Sequence, residues 1–253
     1  MADTPDWLTQ VVYAHRGLHG EGVPENSLAA FALAAERGLG IECDIRVSRD
    51  GRAIVFHDAV LDRLTGSAGV LAGLTVGELT AFRLGDTDQS IPTLRDLLTQ
   101  VSGRVPLLIE LKTDRRDSVH MLCRAVRRDL EGYTGPVAVM SFDPRVPAWF
   151  ASRLADLPRG LVVTEENGRT LSGALRRWLA LRAARATFLA YDIRDLPSRF
   201  ASRSGLPLLT WTVKSRAHAD VARAAAAAPI MEGPVLEELA EDGWGVAPRE
   251  ARS

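Results

Sequence analysis

The chain has 253 residues, of which 46% are hydrophobic and 25% are charged, a composition typical of a globular protein. Its formal net charge of -1 excludes a general electrostatic attraction to nucleic acid or to an anionic membrane, so any affinity for phosphate has to arise locally. Two cysteines are too few for a disulfide framework, no apolar run is long enough to cross a membrane, and the opening residues MADTPDWLTQ lack a signal-peptide pattern. We therefore expect a cytoplasmic protein without stable membrane insertion.

Short apolar segments alternate with helical patterns along the whole chain. A hairpin is predicted after the second strand, where residues 53–58 return from a turn, and the Gly- and Thr-rich stretch 64–92 contains one short helix at 74–82. A helix is expected after each of the other strands, including one near 145–156 and a terminal helix after the last strand. The predicted strands that these helices connect are residues 11–15, 41–47, 105–112, 136–142, 160–164, 187–193, 207–213 and 229–234.

Eight strands of parallel type, each followed by helix, predict an α/β protein with a (β/α)8 TIM-barrel fold and a small insertion after the second strand. The near-continuous apolar strands fit burial on both faces. A glycine-rich dinucleotide-binding fingerprint follows none of the strands, which argues against a doubly wound nucleotide-binding sheet. Because no linker or repeat interrupts the sequence, we expect residues 1–253 to form a single domain.

Polar side chains interrupt the predicted strands towards their carboxyl ends. In a (β/α)8 barrel these ends form the face that carries active sites, so we expect the polar side chains to lie close together there. The pairs that occupy these positions are His15 with Arg16, Glu42 with Asp44, His57 with Asp58, and Glu110 with Lys112.

The three carboxylates among these residues predict a metal site. Glu42 and Asp44 share one face of their strand because strand side chains alternate, and Glu110 adds a third carboxylate from the next barrel strand. Buried carboxylates repel one another and lose hydration unless a cation joins them. A carboxylate set without thiolates or imidazoles favours one hard divalent cation, Mg²⁺ or Ca²⁺.

An alternative interpretation makes the same carboxylates structural. In it, Glu42 pairs with Arg46 and Glu110 pairs with Lys112. That arrangement leaves Asp44 without a partner, and we therefore favour the metal site.

Two histidines next to this cluster suggest proton transfer. His15 and His57 each end an apolar strand segment, and imidazole can give or take a proton near neutral pH. Arg16 presents a planar fork that matches phosphate oxygens, and Lys112 presents a point charge. Hydrolysis of a phosphodiester needs both an acid and a base, so this chemistry fits the residues present.

The motifs taken together resemble the glycerophosphodiester phosphodiesterase family, and their order and spacing make the set specific. The resemblance implies a TIM barrel, one divalent cation, and small-molecule glycerophosphodiester substrates that are cleaved to glycerol 3-phosphate and an alcohol. The segments that carry it are HRG at 15–17, PENS at 24–27, ECD at 42–44, DG at 50–51, HD at 57–58 followed by LDRLTG, ELK at 110–112, SF at 141–142, WTV at 211–213 and PIMEGP at 229–234.

The resemblance also implies roles for individual residues. Glu25 would lie beside the metal or behind its ligands, although a carboxylate before a helix could equally favour the helix dipole. Trp211 would form an apolar wall for the alcohol part of the substrate, with an ordinary place in the core as the alternative. The remaining roles are an acid/base pair (His15, His57), phosphate or substrate contacts (Arg16, Lys112) and metal ligands (Glu42, Asp44, Glu110).

The sequence departs from the family pattern at two positions near the ends of the last strands. Lys214 stands where the family usually has Asn, and Glu232 stands where it commonly has Asp, so both could alter substrate preference. Elsewhere in the first motif we expect Asn26 to cap the first helix and His19 to be a solvated loop residue.

Two other functions remain open from the sequence. One is a phospholipase D-like activity on lysophospholipids, and the other is a phosphate- or polyol-binding barrel with a degenerate site. The sequence also leaves open the oligomeric state, the alcohol group, the choice between Mg²⁺ and Ca²⁺, which histidine is the acid, and whether water or a glycerol hydroxyl attacks first.

Overall fold

The computed structural model describes residues 4–114, 118–166 and 168–236. We number the strands within them in chain order: β1 (Tyr13–Ala14), β2 (Gly40–Val47), β3 (Ala53–Val55), β4 (Leu107–Leu111), β5 (Val137–Ser141), β6 (Arg159–Val163), β7 (Phe188–Asp192), β8 (Leu208–Val213) and β9 (Ala228–Met231).

Helices fill most of the connections between these strands. Three short 3₁₀ helices lie at Asp6–Leu8, Leu71–Gly73 and Ile193–Asp195. The α-helices of the described residues are α1 (Leu28–Glu36), α2 (Asp62–Thr65), α3 (Val76–Leu79), α4 (Leu94–Val101), α5 (Val119–Leu130), α6 (Arg145–Ala151), α7 (Leu171–Ala184), α8 (Arg199–Ser204) and α9 (Arg216–Ala224).

The described strands close into a parallel barrel. Each of β2, β4, β5, β6, β7, β8 and β9 pairs in parallel with the next, and β1 pairs with both β2 and β9, which closes the ring. Strand β3 is antiparallel to β2 and lies outside the ring. The predicted (β/α)8 barrel and the hairpin after the second barrel strand are confirmed.

The side chains of each barrel strand alternate between two cores. On β2, Ile41, Cys43 and Ile45 face the helices and join the main hydrophobic cluster. Glu42 and Asp44 lie on the opposite face, which the alternation of a strand directs towards the barrel axis. The inner core near the axis is built largely from residues of β4 to β9, with Leu8 of the first 3₁₀ helix beneath it. Alternation therefore places the two carboxylates of β2 inside the ring.

The insertion after β2 has a small core of its own. Residues from β3 to the segment before α4 bury a separate apolar cluster that includes Phe56, Leu61 and Leu79. One of its helices, α3, lies within the predicted helix at 74–82, whereas α2 and the 3₁₀ turn at Leu71–Gly73 were not predicted. This packed insertion holds the segment after β3, which carries His57, against the barrel.

Two expectations about helices differ from the structure. Asn26 does not cap α1, since Ser27 is the residue whose side chain accepts the hydrogen bond from the Ala30 amide, and the prediction was wrong. The helix predicted at 145–156 ends at Ala151. The predicted terminal helix falls mainly on residues 237–253, outside the described residues.

Among the described residues, none of the helices combines the length and the apolarity that a membrane span requires.

Candidate active site

Three buried carboxylates meet at the carboxyl end of the barrel. Asp44 and Glu110 are direct partners in the parallel pairing of β2 with β4, and Glu42 lies one alternation earlier on β2. One oxygen from each of the three lies within 4.8 Å of the others, and all three side chains are buried. The carboxylates that the sequence predicted to lie together are therefore brought together.

The charges in this cluster are not balanced by hydrogen bonds alone. Burial, with the neighbouring Asp44 and Glu110, raises the pKa of Glu42 well above its ordinary value. Burial also acts to raise the pKa of Asp44, but Lys112 and Arg16 outweigh it and hold that pKa below the usual range. A cation placed among the three oxygens would favour ionisation of Glu42 and remove this imbalance.

The alternative of two structural ion pairs is only half correct. Arg46 does not reach Glu42, since its guanidinium donates to the His57 carbonyl and pairs with Asp114. Lys112 does pair with Glu110, with Nζ 2.8 Å from Oε1, and the same Nζ lies 3.1 Å from Asp44 Oδ1. Glu42 Oε1 has no hydrogen-bond partner among the described residues.

Arg16 lies beside the carboxylates in an uncommon backbone conformation. Its φ is 57°, in the left-handed region, and this geometry lets its backbone amide donate to Glu42 Oε2 at 3.0 Å. Its side chain is half-buried, with Nε 3.3 Å from Asp44 Oδ2 and Nη1 2.8 Å from Glu25 Oε1. In this structure Arg16 therefore contacts three carboxylates from the loop after β1.

Glu25 links this loop to the insertion. It accepts hydrogen bonds from Arg16 and, through both of its oxygens, from Arg63 of α2. These bonds hold the pKa of Glu25 below its ordinary value despite burial. Glu25 thus lies behind Arg16, and its contacts join two elements rather than favouring a helix terminus.

One ring nitrogen of His15, which follows β1, contacts a carboxylate that follows the paired strand β9. Its Nδ1 lies 2.8 Å from Glu232 Oε2, immediately after β9, and its Nε2 lies 4.0 Å from Glu42 Oε2. Because a carboxylate only accepts hydrogen bonds, Nδ1 is the protonated nitrogen while Glu232 is ionised. Hydrogen bonding by His15 and the charge of Lys214, whose Nζ is 3.3 Å away, lower the pKa of Glu232 to about 2.

His57 has a matching carboxylate contact. Its Nδ1 lies 2.6 Å from Asp58 Oδ1, and Asp58 in turn accepts a hydrogen bond from Arg63. Burial and the positive charges of Lys112 and Arg16 hold the pKa of His57 below its ordinary value, although Asp44 and Asp58 oppose the shift. Both histidines therefore keep Nε2 as the nitrogen that is free to exchange a proton.

Asn26 is a site residue that the sequence interpretation missed. It is buried, its φ is 55°, and its Nδ2 donates to Asp44 Oδ2 at 2.9 Å while its Oδ1 accepts from the Asp44 amide at 3.2 Å. These two bonds fix the orientation of the Asp44 carboxylate. Its place in the PENS motif was the available signal, but Asn before a helix is also a common cap.

Two aromatic residues line the rim of the same barrel face. Trp211, on β8, is half-buried and donates its indole N–H to the Ala190 carbonyl. Phe142, which directly follows β5, packs edge-to-face against it with ring centroids 5.4 Å apart and is 45% exposed. Trp211 and Phe142 therefore form one apolar surface at this rim.

His19 differs from the expected solvated loop residue. It is half-buried, and its Nε2 is buried without a hydrogen-bond partner among the described residues. Burial lowers its pKa below the ordinary value. Burial therefore disfavours the charged form of the ring, and the structure records no contact between the ring and the carboxylate cluster.

The fold and the site define a TIM-barrel protein with a buried carboxylate cluster at the carboxyl ends of its strands. The family model of the glycerophosphoryl diester phosphodiesterase family matches residues 15–231, which include every candidate site residue except Glu232. The chain belongs to this family.

Sequence relatives and solved structures agree with this membership. The chain is 31% identical over 211 residues to "Probable glycerophosphodiester phosphodiesterase 2" of Mycobacterium tuberculosis, a match that covers 79% of this chain and 72% of that protein. It is 35% identical over 114 residues to a glycerophosphodiester phosphodiesterase of Caldanaerobacter subterraneus subsp. tengcongensis, covering 42% of this chain and 46% of that protein. The second match therefore spans about half of each partner.

Two solved structures show the same fold. An Oleispira antarctica phosphodiesterase in complex with the product sn-glycerol-3-phosphate superposes with a TM-score of 0.79 at 23% identity, covering 92% of this chain and 96% of that one. A glycerophosphodiester phosphodiesterase from Thermotoga maritima gives a TM-score of 0.71 at 25% identity, covering 90% and 97%.

Proposed function

We propose that this protein is a divalent-cation-dependent hydrolase that cleaves glycerophosphodiesters to glycerol 3-phosphate and an alcohol. One observation carries the proposal: three buried carboxylates lie beside two histidines. Each histidine forms a hydrogen bond through Nδ1 to a further carboxylate, which leaves its Nε2 available for proton transfer. Membership of the family and the product named for the Oleispira neighbour support the substrate class.

The carboxylate cluster fits one hard cation. Glu42, Asp44 and Glu110 offer oxygen donors only, which suits Mg²⁺ or Ca²⁺, and Glu42 Oε1 is buried without a hydrogen-bond partner among the described residues. The raised pKa of Glu42 supports this, because a bound cation would relieve the burial and repulsion that raise it. When bound, the cation would polarise a phosphoryl oxygen and stabilise charge on it.

The two histidines are suited to opposite proton transfers at Nε2. Glu232 and Asp58 hold the Nδ1 protons, so each ring presents an unprotonated Nε2 when neutral and a donor when charged. One ring would take the proton of the attacking hydroxyl and the other would protonate the departing alkoxide. The attacking group is water or the neighbouring glycerol hydroxyl, which would first form a cyclic phosphate.

Arg16 and Lys112 would bind the phosphate from two sides of the cluster. Both side chains are half-buried and already paired with Asp44, so their charge is directed at the point where the carboxylates meet. The wall of Trp211 and Phe142 would then contact the alcohol or glycerol carbons. Glu25 would act through Arg16, which it holds at 2.8 Å.

We infer a single-domain cytoplasmic protein. Cys43 and Cys123 are both buried and unpaired, which suits a reducing compartment. One family model matches residues 15–231 as a single stretch, which supports one catalytic domain over these residues.

The decisive experiment measures release of glycerol 3-phosphate from a panel of glycerophosphodiesters, with lysophospholipids as a second panel. We expect turnover that EDTA abolishes and that Mg²⁺ or Ca²⁺ restores. His15→Ala and His57→Ala should each lower kcat by about 100-fold or more while the circular dichroism spectrum stays native. Full activity in both histidine variants would overturn the acid/base assignment. Turnover of lysophospholipids alone would favour the lipid-directed alternative, and no turnover with any metal would favour a binding barrel.

A further inference from the structure

Helix α7 exposes most of its large apolar side chains, whereas an outer helix of a barrel usually packs them against the strands. The only residues of α7 that are buried are the small ones, Gly173 and Ala184. Leu171, Leu175 and Trp178 are 92%, 57% and 49% exposed, respectively, and Leu179 is 53% exposed. The outer helix α5, in contrast, buries Val119, Leu122 and Val126 against the barrel, among others.

The exposed residues form one continuous stripe. We call the outward face of Leu171, Leu175, Trp178, Leu179 and Arg182 the α7 stripe. Their spacing of four, three, one and three residues puts them on a single face of a helix with 3.6 residues per turn. Arg182 lies within the stripe, and its guanidinium carbon is 4.8 Å from the centre of the Trp178 ring. A face of this kind is normally covered by another surface.

The charges around the stripe are mostly positive. Helices α7 and α8 contain arginines and no acidic residue. At the barrel rim, Asp195 and Asp192 are already paired with Arg169 and Arg194. Within α7 and α8, the exposed arginines that lack an acidic partner among the described residues are Arg176, Arg182, Arg199 and Arg203. The stripe is thus locally basic in a chain whose net charge is -1.

The stripe continues into a groove of about 1020 Å³ against α8. Its lining includes the apolar residues Trp178, Leu181 and Phe200, arginines such as Arg177 and Arg203, and the acidic residues Glu165 and Asp195. Arg177 also lies over the Phe200 ring at 5.8 Å. The groove therefore has apolar rings and arginines side by side, and its two acidic residues are already paired, Glu165 with Arg177 and Asp195 with Arg169.

The position of α7 places this surface near the active-site face. Helix α7 follows β6, so its first residue, Leu171, lies on the side of the barrel where the strands end. A surface docked on the stripe would therefore lie beside the mouth of the barrel and not beneath it.

We propose that the α7 stripe docks this protein reversibly on anionic phospholipid bilayers. Leucine and tryptophan on one face with arginines among them is the composition of helices that lie in the lipid–water interface, where the rings enter the headgroup region and the guanidinium groups remain near phosphate. The uncompensated arginines are complementary to an anionic surface. A second copy of the chain fits less well, because an isologous contact would place these arginines against one another. The proposal does not depend on the phosphodiesterase activity.

The test is sedimentation of the full-length protein with vesicles. We expect binding to vesicles of equal parts phosphatidylglycerol and phosphatidylcholine, weaker binding as salt rises, and no binding to pure phosphatidylcholine. Leu175→Ser/Trp178→Ser and, separately, Arg176→Glu/Arg182→Glu should each weaken binding by about tenfold or more. The emission of Trp178 should shift to the blue on binding, and the part of the shift lost in Trp178→Phe measures its entry into the lipid.

Matched variants on α5 serve as controls. Met121→Ser removes an exposed apolar side chain from an outer helix, and Arg124→Glu/Arg127→Glu changes the same number of charges there. Both should bind vesicles as the parent does, and the α7 variants should retain parental turnover of a soluble glycerophosphodiester and a native circular dichroism spectrum.

Three outcomes would overturn the proposal. The first is equal binding to anionic and neutral vesicles, or no binding to either. The second is unchanged binding in both α7 variants. The third is light scattering that shows a dimer in the parent and a monomer in Leu175→Ser/Trp178→Ser, which would assign the stripe to a second copy. An absence of turnover in the parent would bear on the proposed function alone, because sedimentation and fluorescence need no activity.

Discussion

Each histidine of the site is hydrogen-bonded through its Nδ1 to a carboxylate. Glu232 holds His15 across the closure of the barrel, and Asp58 holds His57 from the next position in the chain. In both cases the contact fixes which nitrogen carries the proton. The carboxylates are therefore expected to control the histidines without contacting substrate.

Glu232→Gln is predicted to lower kcat on the order of 100-fold with a smaller change in KM. The reason is that an amide can donate as well as accept, so it permits the tautomer in which Nε2 of His15 carries the proton. Steady-state kinetics on a soluble glycerophosphodiester would measure the effect.

Glu232→Asp is the matched control, because it keeps the charge and is the residue that the family commonly has. It should recover most of the lost activity. A Glu232→Gln enzyme with parental kcat, or an Asp variant as impaired as the Gln variant, would contradict the positioning role.

Asp58→Asn is predicted to lower the pKa of His57 further. Burial and the charges of Lys112 and Arg16 already hold this pKa below its ordinary value, and Asp58 is one of the groups that oppose the shift. Removing its negative charge disfavours the imidazolium, so the ring should stay neutral to lower pH than in the parent. Titration of the ring nitrogens by NMR would measure both values, and a pKa that rises in Asp58→Asn would refute the assignment.

At the scale of elements, the loop between β1 and α1 is fixed by close packing. Gly17 has a φ of +80°, and a Cβ at this position would lie 2.9 Å from atoms of Ala30 and Phe31 in α1. Its neighbour Arg16 has its own left-handed conformation and donates its amide to Glu42. The helix and the site residues are therefore positioned by one tight turn.

Gly17→Ala is predicted to lower the free energy of unfolding by about 2–4 kcal/mol, because the added methyl group meets backbone and the residue must keep a positive φ. Urea denaturation would measure the loss. Gly20→Ala, in the same loop, is the control, since a Cβ there meets nothing within 4 Å. Its stability should stay within about 1 kcal/mol of the parent. Equal losses in the two variants would mean that packing against α1 does not set the requirement for glycine.

At the scale of the whole molecule, a cation bound by the carboxylate cluster would connect strands of the barrel. Glu42 and Asp44 come from β2 and Glu110 comes from β4, so an ion among them would link two strands of the ring and stabilise the native state over the unfolded one.

Millimolar Mg²⁺ or Ca²⁺ is predicted to raise the thermal midpoint of the EDTA-treated protein by about 5 °C. Differential scanning fluorimetry would measure the shift. Because the pKa of Glu42 is raised in the metal-free cluster, protons compete with the cation, and the shift should be smaller near about pH 5 than near about pH 8.

Asp44→Asn should abolish this shift. Asp129→Asn, which changes a buried carboxylate on α5 away from the site, should keep it. A shift that persists in Asp44→Asn would place the bound cation elsewhere on the molecule.

Much of the site could be predicted from the sequence because strands impose their own periodicity. Alternation alone puts Glu42 and Asp44 on one face, and polar residues at strand ends predict a shared active-site face once eight strands alternate with helices. Asn26 was misread for a physical reason: an Asn before a helix caps it in many proteins, and only the folded chain shows that its left-handed backbone turns the side chain to Asp44.

What the sequence by itself determined is the pattern within each element: the order of strands and helices, the residues that share a face, and the chemistry of the groups at strand ends. The tertiary structure decided which faces meet. Glu232 reaches His15 only because β1 pairs with β9 and closes the ring, which brings residues 217 positions apart into contact. The stripe of α7 has a helical period that fits a buried face equally well, and only its packing against the barrel through Gly173 and Ala184 turns it outward. Periodicity is a local property of the backbone, whereas direction and partner depend on contacts between segments that are distant in the chain.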